Sequence, residues 1–118
     1  MAAESAREVS DGVLAVRVAQ TGERCVVSFR GELDLATAGT AEAELEAALA
    51  DGTPVLVDLR ALEFIDSTGI ALLVRVIQGD GGAHRLSFVP SEFEAVNKVL
   101  ALTGVHERMH LAEGSASA

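Results

Sequence analysis

The chain has 118 residues, 49% of them apolar, and contains no Trp or Tyr. This size predicts a single domain whose core is built from Val, Leu, Ile and Ala. The net charge of −9 at pH 7 argues against a nucleic-acid binder, because such proteins present basic patches to the phosphates.

The single cysteine and the lengths of the apolar runs indicate where the protein works. Cys25 lies in an apolar run, so we expect a buried small apolar residue, and one cysteine cannot form a disulfide within the chain. No apolar stretch reaches the roughly 18–20 residues that span a bilayer. The N-terminus lacks the apolar segment of a signal peptide. We therefore expect a cytoplasmic protein that makes no contact with a membrane.

The first half of the chain predicts a hairpin followed by a helix. Residues 1–11 are small and polar, and we expect them to be flexible. The apolar runs at 13–18 and 24–30 are separated by a turn that contains glycine, which is typical of a β-hairpin. Residues 35–50 are rich in Ala and Glu and predict a helix with Thr37 as its N-cap.

The centre of the chain joins a buried strand to an unusually apolar helix. Residues 55–59 form an apolar run with β-branched members and predict a strand, which a loop follows. Residues 70–77 are apolar at helical spacing, and the opposite side of this helix is apolar as well. Such a helix is either buried on both sides or presents one face to a partner. Both alternatives stay open at this point.

The last third of the chain predicts a strand, a helix and a final strand. Residues 85–89 indicate a strand, and Ser91 with Glu94 forms a capping box at the start of a helix. Residues 106–111 are expected to form a last short strand, and residues 113–118 a flexible tail. The order ββαβαβαβ predicts an α/β domain in which helices pack against a mixed sheet with an N-terminal hairpin.

The hydroxyl of Ser67 has two interpretations. Serine before a helix ordinarily caps it by accepting a backbone N–H bond. Ser67 could instead accept a phosphate, because a helix N-terminus favours negative charge. A phosphate adds about −1.5 to −2 charges, and burying such a charge unpaired against a partner costs several kcal/mol. One phosphate would therefore suffice to switch binding off. Thr68, one residue further into the helix, is the second choice.

Other candidate sites lack the residues that their chemistry needs. Asp66 has no second copy of its motif with which to form an aspartic dyad. Asp58, at the end of a strand, lacks the acidic neighbour and the late Lys of a phospho-aspartate site. His106 and His110 have no further ligand beside them for a metal. We also find no phosphate-binding loop. We therefore predict no catalytic residue, no metal site and no enzyme.

Three motifs resemble the STAS domain of anti-sigma factor antagonists. They are Gly31-Glu32-Leu33-Asp34 after the second predicted strand, Phe64-Ile65-Asp66-Ser67-Thr68-Gly69-Ile70 before the second helix, and residues 91–105 around the third helix. The resemblance covers residues 12–112 and implies a single STAS-type domain. One departure lies in the third helix, where related domains often carry an Arg and this chain has Asn97 or Lys98.

The resemblance implies a partner switch. The unphosphorylated protein would bind an anti-sigma factor that is also a serine kinase, and so release a sigma factor. The kinase would phosphorylate Ser67 with its own ATP and Mg²⁺, and a phosphoserine phosphatase would reset it. The chain itself would need no cofactor and would be a monomer when free. The implied partner-binding residues are Glu32, Asp34, Asp66, Ser67, Thr68, Gly69, Ile70, Leu72, Arg75 and Val76.

A second role is compatible with the same resemblance. Related domains also serve as structural subunits of stress-signalling or lipid-transport complexes. In such a subunit Ser67 would be an ordinary helix cap, no kinase would act on it, and the chain would associate stably with an ATPase subunit.

Overall fold

The structure is a computed structural model that describes residues 5–80 and 85–112. Eight helices and strands follow one another in these ranges, and a 3-10 helix at His106–Arg108 comes after them. They are β1 (Ser5–Asp11), β2 (Leu14–Thr21), β3 (Arg24–Leu33), α1 (Ala38–Ala50), β4 (Val55–Ile65), α2 (Ser67–Asp80), β5 (Leu86–Val89) and α3 (Glu94–Leu102). None of the helices in the described ranges has the length and apolar character needed to cross a membrane.

The five strands form one mixed sheet in the order β1-β2-β3-β4-β5. The first three strands pair antiparallel, whereas β3, β4 and β5 pair parallel. Parallel neighbours need crossover connections, and α1 and α2 provide them. The predicted α/β architecture, with a mixed sheet, an N-terminal hairpin and helices packed against it, is confirmed.

The core lies between one face of this sheet and the helices. Val27 and Val57 are neighbours in register on β3 and β4, and both are fully buried. The helices pack on this face and contribute Leu45, Leu73 and Leu100 to the same apolar cluster. Full burial of each such side chain stabilises the fold by roughly 1.5–3 kcal/mol. Aliphatic side chains therefore build most of the core, as the composition predicted.

Cys25 is buried in this core, which confirms the prediction made for it. Burial raises the pKa of its thiol, and the carboxylate of Asp51 acts in the same direction. The thiol is thus held in its protonated, unreactive form at neutral pH.

The prediction for the N-terminal segment is wrong over residues 5–11. These residues form β1, which pairs with β2 from Ser5 opposite Gln20 to Asp11 opposite Leu14. Most of the strand is exposed, because it lies at the edge of the sheet and pairs on one side only. Its backbone hydrogen bonds hold it in place, so its side chains need no apolar pattern. Residues 1–4 of the expected flexible start lie outside the described residues.

Two strands extend further than predicted and carry the chain to the candidate site. β3 continues to Leu33 and β4 to Ile65, where a loop was expected. The pairing register shifts twice near their ends, and each shift inserts an extra residue in β4. The parallel pairing nevertheless continues until Leu33 lies opposite Ile65.

The C-terminal prediction is also wrong, because residues 106–111 do not form a strand. A 3-10 helix occupies His106–Arg108, and only a single bridge follows, between Leu111 and Phe88 of β5. The Phe88 N–H donates to the His110 carbonyl, and the Ala112 N–H donates to the Phe88 carbonyl, each at 2.9 Å. The segment therefore lines the outer edge of β5. The predicted tail at 113–118 lies outside the described residues.

Candidate functional site

Two loops meet at the carboxyl ends of β3 and β4. Because these strands are parallel neighbours, the segments that follow Leu33 and Ile65 leave the sheet at the same edge. The backbone N–H of Asp66 donates to the Leu33 carbonyl at 3.1 Å. The two motifs that were far apart in the sequence are thus brought together.

Asp66 caps the N-terminus of α2. Its Oδ1 accepts hydrogen bonds from the backbone N–H groups of Thr68, at 2.9 Å, and Gly69, at 3.1 Å. Its Oδ2 accepts the backbone N–H of Leu35 from the neighbouring loop at 3.2 Å. The interpretation of Ser67 as the helix cap is therefore wrong, because the residue before it already satisfies the free N–H groups.

Ser67 is the first residue of α2 and is exposed. Its hydroxyl makes no hydrogen bond to any residue of the described ranges. Thr68, the second choice, is half-buried one residue deeper in the helix. The Ser67 hydroxyl therefore faces solvent beside backbone N–H groups, in an environment that favours negative charge.

The loop between β3 and α1 is braced by Asp34 and Thr37. The Asp34 Oδ1 accepts the backbone N–H groups of Ala36, at 3.0 Å, and Thr37, at 3.2 Å. The Thr37 side chain is 1% exposed, and its hydroxyl donates to the Glu32 carbonyl at 3.0 Å and accepts the Asp34 N–H at 2.9 Å. Thr37 does precede α1, as predicted, but its hydroxyl makes no cap bond to that helix.

The inward face of α2 contains three residues that were expected to bind a partner. Leu72 is 0% exposed, Val76 is 5% exposed, and Gly69 is also buried. A Cβ on Gly69 would lie 2.7 Å from the Ile65 Cγ1 and 2.9 Å from Leu33 Cγ, so this position needs glycine for close packing. The assignment of Gly69, Leu72 and Val76 to a partner surface is wrong, since the helix turns all three of them into the core.

The outward face of α2 runs from Ser67 through Ala71 to Arg75. These three residues are spaced by four and all are exposed. Ile70 is half-buried at the margin of this stripe and packs against the core. The sequence left open whether this helix is buried on both sides or presents one face to a partner. In the structure one face is buried, and the other face, which begins at Ser67, is exposed.

Arg75 lies on this surface but is already engaged by α1. Its Nε and Nη2 donate to the two carboxylate oxygens of Glu42, at 3.0 and 2.9 Å. The hydrogen bonds from this guanidinium lower the pKa of Glu42. Arg75 therefore links α1 to α2 in addition to any role on the surface.

Leu35 and Phe64 are large apolar side chains exposed beside this site. Leu35 is 78% exposed in the loop after Asp34, and Phe64 is 48% exposed near the end of β4. Leu35 was not among the predicted site residues because the predicted first helix began at this residue, whereas α1 begins at Ala38. The signal was present in the spacing of Asp34 and Thr37, which is typical of a side chain that bonds the backbone of its own turn.

The start of α3 differs from the predicted capping box. The helix begins at Glu94, and Ser91 lies before its cap position. The buried Ser91 hydroxyl donates to the Leu62 carbonyl at 2.7 Å and accepts the Phe93 N–H at 2.8 Å. The Asn97 side chain donates to the Ser91 carbonyl at 2.7 Å. Asn97, one of the two positions where related domains often carry an Arg, therefore stabilises the loop before α3.

Asp58 is engaged by Arg60 on the other face of the sheet. The Arg60 Nη2 donates to Asp58 Oδ2 at 2.8 Å, and its Nε and backbone N–H bond the same carboxylate. Burial of the carboxyl raises the pKa of Asp58, but the hydrogen bonds from Arg60 outweigh burial and lower it overall. Within residues 5–80 and 85–112 no group of three or more His, Cys, Asp or Glu side chains could hold a metal ion.

Comparisons with known proteins give the family. The anti-sigma-B factor antagonist of Staphylococcus aureus is 28% identical over 90 residues, which cover 75% of this chain and 83% of that protein. A crystal structure of an anti-sigma factor antagonist from Mycobacterium paratuberculosis is similar with a TM-score of 0.74 and 27% identity, over 92% of this chain and 86% of that one.

A more distant structure agrees in fold. The phosphorylated form of the Bacillus cell fate determinant SpoIIAA is similar with a TM-score of 0.55 and 19% identity, over 96% of each chain, a likeness that shows the fold alone. The family model named "Mlab, STAS domain" matches residues 16–113. Since that match spans most of the sequence and the motifs around Asp34 and Ser67 lie within it, the chain belongs to the STAS domain family.

Proposed function

We propose that the protein is an anti-sigma factor antagonist controlled by phosphorylation of Ser67. In the unphosphorylated state it binds an anti-sigma factor that is also a serine kinase, and a sigma factor is released. The hydroxyl of Ser67, which is exposed and bonds none of the described residues, supports this proposal most directly, because Asp66 and not Ser67 caps α2. The two relatives named as antagonists, which are 27–28% identical, support the same function.

A phosphate on Ser67 would act on the partner more than on the fold. The helix N-terminus tolerates the added charge of about −1.5 to −2. Within α2 the nearest basic residue is Arg75, roughly 12 Å along the helix axis and already paired with Glu42. The phosphate would therefore receive no charge neutralisation from its own helix and would lie next to Asp66. A loss of about 5.5 kcal/mol in partner affinity is enough to turn a 99:1 equilibrium into 1:99.

The partner surface that we propose is the outward stripe of α2 together with the loop after β3. It includes Ser67 and Ile70 on the helix and Asp34 in the loop. The remaining predicted contacts that are not buried in the core are Glu32, Asp66, Thr68 and Arg75. The kinase supplies ATP and Mg²⁺, a phosphatase removes the phosphate, and the chain performs no chemistry of its own. This exchange takes place in the cytoplasm, where the kinase finds its ATP.

A binding titration with the kinase-like anti-sigma factor tests this function. We expect Ser67→Ala to bind as the wild type does, and Ser67→Asp to bind at least tenfold more weakly. Ser10→Asp is a matched control, because it adds the same charge at an exposed serine of β1. Equal losses for the two aspartate variants would refute a specific role of Ser67. A stable complex that does not depend on residue 67 would favour the structural subunit instead.

A further inference from the structure

We propose that Leu35 is the anchor of the partner surface and that its side chain enters an apolar pocket on the anti-sigma factor. The inference rests on the proposed function, and it adds a residue that neither the motifs nor the predicted contacts included. Three features of Leu35 support it: its exposure, the rigidity of its backbone and its connection to Ser67.

Leu35 exposes a large apolar side chain. It is 78% exposed, and a leucine gains roughly tenfold or more in affinity when such a surface is buried, by the usual transfer free energies. A single exposed leucine is common on protein surfaces and by itself indicates nothing. Leu102, which is 77% exposed in the last turn of α3, provides that comparison within the same chain.

The backbone around Leu35 is fixed before any partner binds. Its own N–H donates to Asp66 Oδ2, and the N–H groups of the next two residues donate to the Asp34 carboxylate. The buried Thr37 hydroxyl ties the loop to the end of β3 through the Glu32 carbonyl. A side chain presented from a fixed backbone loses less conformational entropy on binding, which is a property of interface anchors.

The connection to Ser67 runs through one carboxylate. Asp66 bonds Leu35 through Oδ2 and the first turn of α2 through Oδ1. A partner that covers Leu35 therefore also covers the start of α2, where the phosphate would be added. The pocket on the partner should be apolar with basic residues at its rim, because the carboxylates of Asp66 and Asp34 bond the backbone at Leu35 and at the next residue.

A comparison of two leucine variants tests this inference in the unphosphorylated protein. We expect Leu35→Ser to weaken binding to the anti-sigma factor at least tenfold, and Leu102→Ser to change it less than twofold. Both side chains are equally exposed, so both variants should unfold at the same urea concentration as the wild type. Wild-type affinity for Leu35→Ser would overturn the inference and leave the proposed function intact. Failure of the wild type itself to bind would overturn both.

A third variant tests whether the braced loop positions Leu35. Thr37→Val removes the hydroxyl that braces the loop but keeps the leucine side chain at position 35. We expect weaker binding than the wild type and, when Leu35→Ser is added, a smaller further loss than in the wild-type background. If the two losses in affinity were simply additive, the loop would not position Leu35, and the role given to its braced backbone would be wrong.

Discussion

The Asp66 carboxylate joins the two halves of the site, since it accepts the backbone N–H of Leu35 at 3.2 Å while its other oxygen caps α2. The residue that follows the first motif is therefore tied to the second motif by this side chain, in addition to the backbone hydrogen bond between Asp66 and Leu33. The hydroxyl of the adjacent Ser67 is therefore not needed to cap α2 and bonds no residue in the part of the chain that the structure describes. A hydroxyl of this kind can be modified without disturbing the fold.

The capping assignment predicts different stability effects at two neighbouring residues. Asp66→Ala should lower the free energy of unfolding by about 1 kcal/mol, within the range of roughly 0.5–2 for a lost N-cap. Ser67→Ala should change it by less than about 0.5 kcal/mol, because no hydrogen bond is removed. Urea unfolding followed by circular dichroism measures both. A loss at Ser67 as large as that at Asp66 would mean that the serine is the cap after all.

The orientation of α2 predicts a second contrast between adjacent residues. Leu72→Ala should lower the free energy of unfolding by about 2–5 kcal/mol, the usual cost of a cavity in a core. Ala71→Gln, on the outward face, should change it by less than about 0.5 kcal/mol and should weaken partner binding. Urea unfolding and a binding titration of both variants provide the test. Unchanged stability of Leu72→Ala would show that Leu72 faces solvent.

Because Asp58 pairs with Arg60, we expect the free energy of unfolding to depend on pH in the acidic range. The pKa of Asp58 is lower in the folded protein than in the unfolded chain, so the carboxylate stabilises the fold above about pH 3.9, the usual pKa of aspartate. This stabilisation is lost as the pH falls through the lower, folded-state pKa. The difference in unfolding free energy between the wild type and Asp58→Asn should therefore be constant from pH 7 to 5 and shrink below pH 4.

Urea unfolding at several pH values measures this difference. Glu42, whose pKa is also lowered, is present in both proteins and does not contribute to it. If the unfolding free energies of Asp58→Asn and the wild type differed by the same amount at every pH down to 3, the charge of Asp58 would contribute nothing to stability.

The apolar patterns predicted the architecture, but they could not orient α2. The run at 70–77 indicated a helix, and the turn residues around Gly22 indicated the hairpin, because these signals are local. Leu72 was expected on the partner surface, yet it is as fully buried as its neighbour Leu73, because the packing of α2 on the sheet decides which residues of such a helix are buried. The assignment of Val76 to the partner surface failed for the same reason.

The structure of the polar segments was harder to predict from the sequence. β1 has no alternation of apolar and polar residues, because its backbone pairing with β2 keeps it in the sheet. Its sequence alone therefore does not predict a strand. Asp66 and Ser67 are both good capping residues, so their order in the sequence does not say which of them caps. That choice depends on where the helix starts and on the loop at Leu35, which lies more than thirty residues away.

Mapping the phosphate after incubation with the kinase-like anti-sigma factor, ATP and Mg²⁺ tests the central claim most directly. Intact-mass and peptide mass spectrometry of the wild type, Ser67→Ala and Thr68→Ala provide the measurement. We predict one phosphate on Ser67 of the wild type and of Thr68→Ala, and none on Ser67→Ala. A phosphate on Ser67→Ala, or one that disappears with Thr68→Ala, would contradict the assignment of Ser67 as the switch.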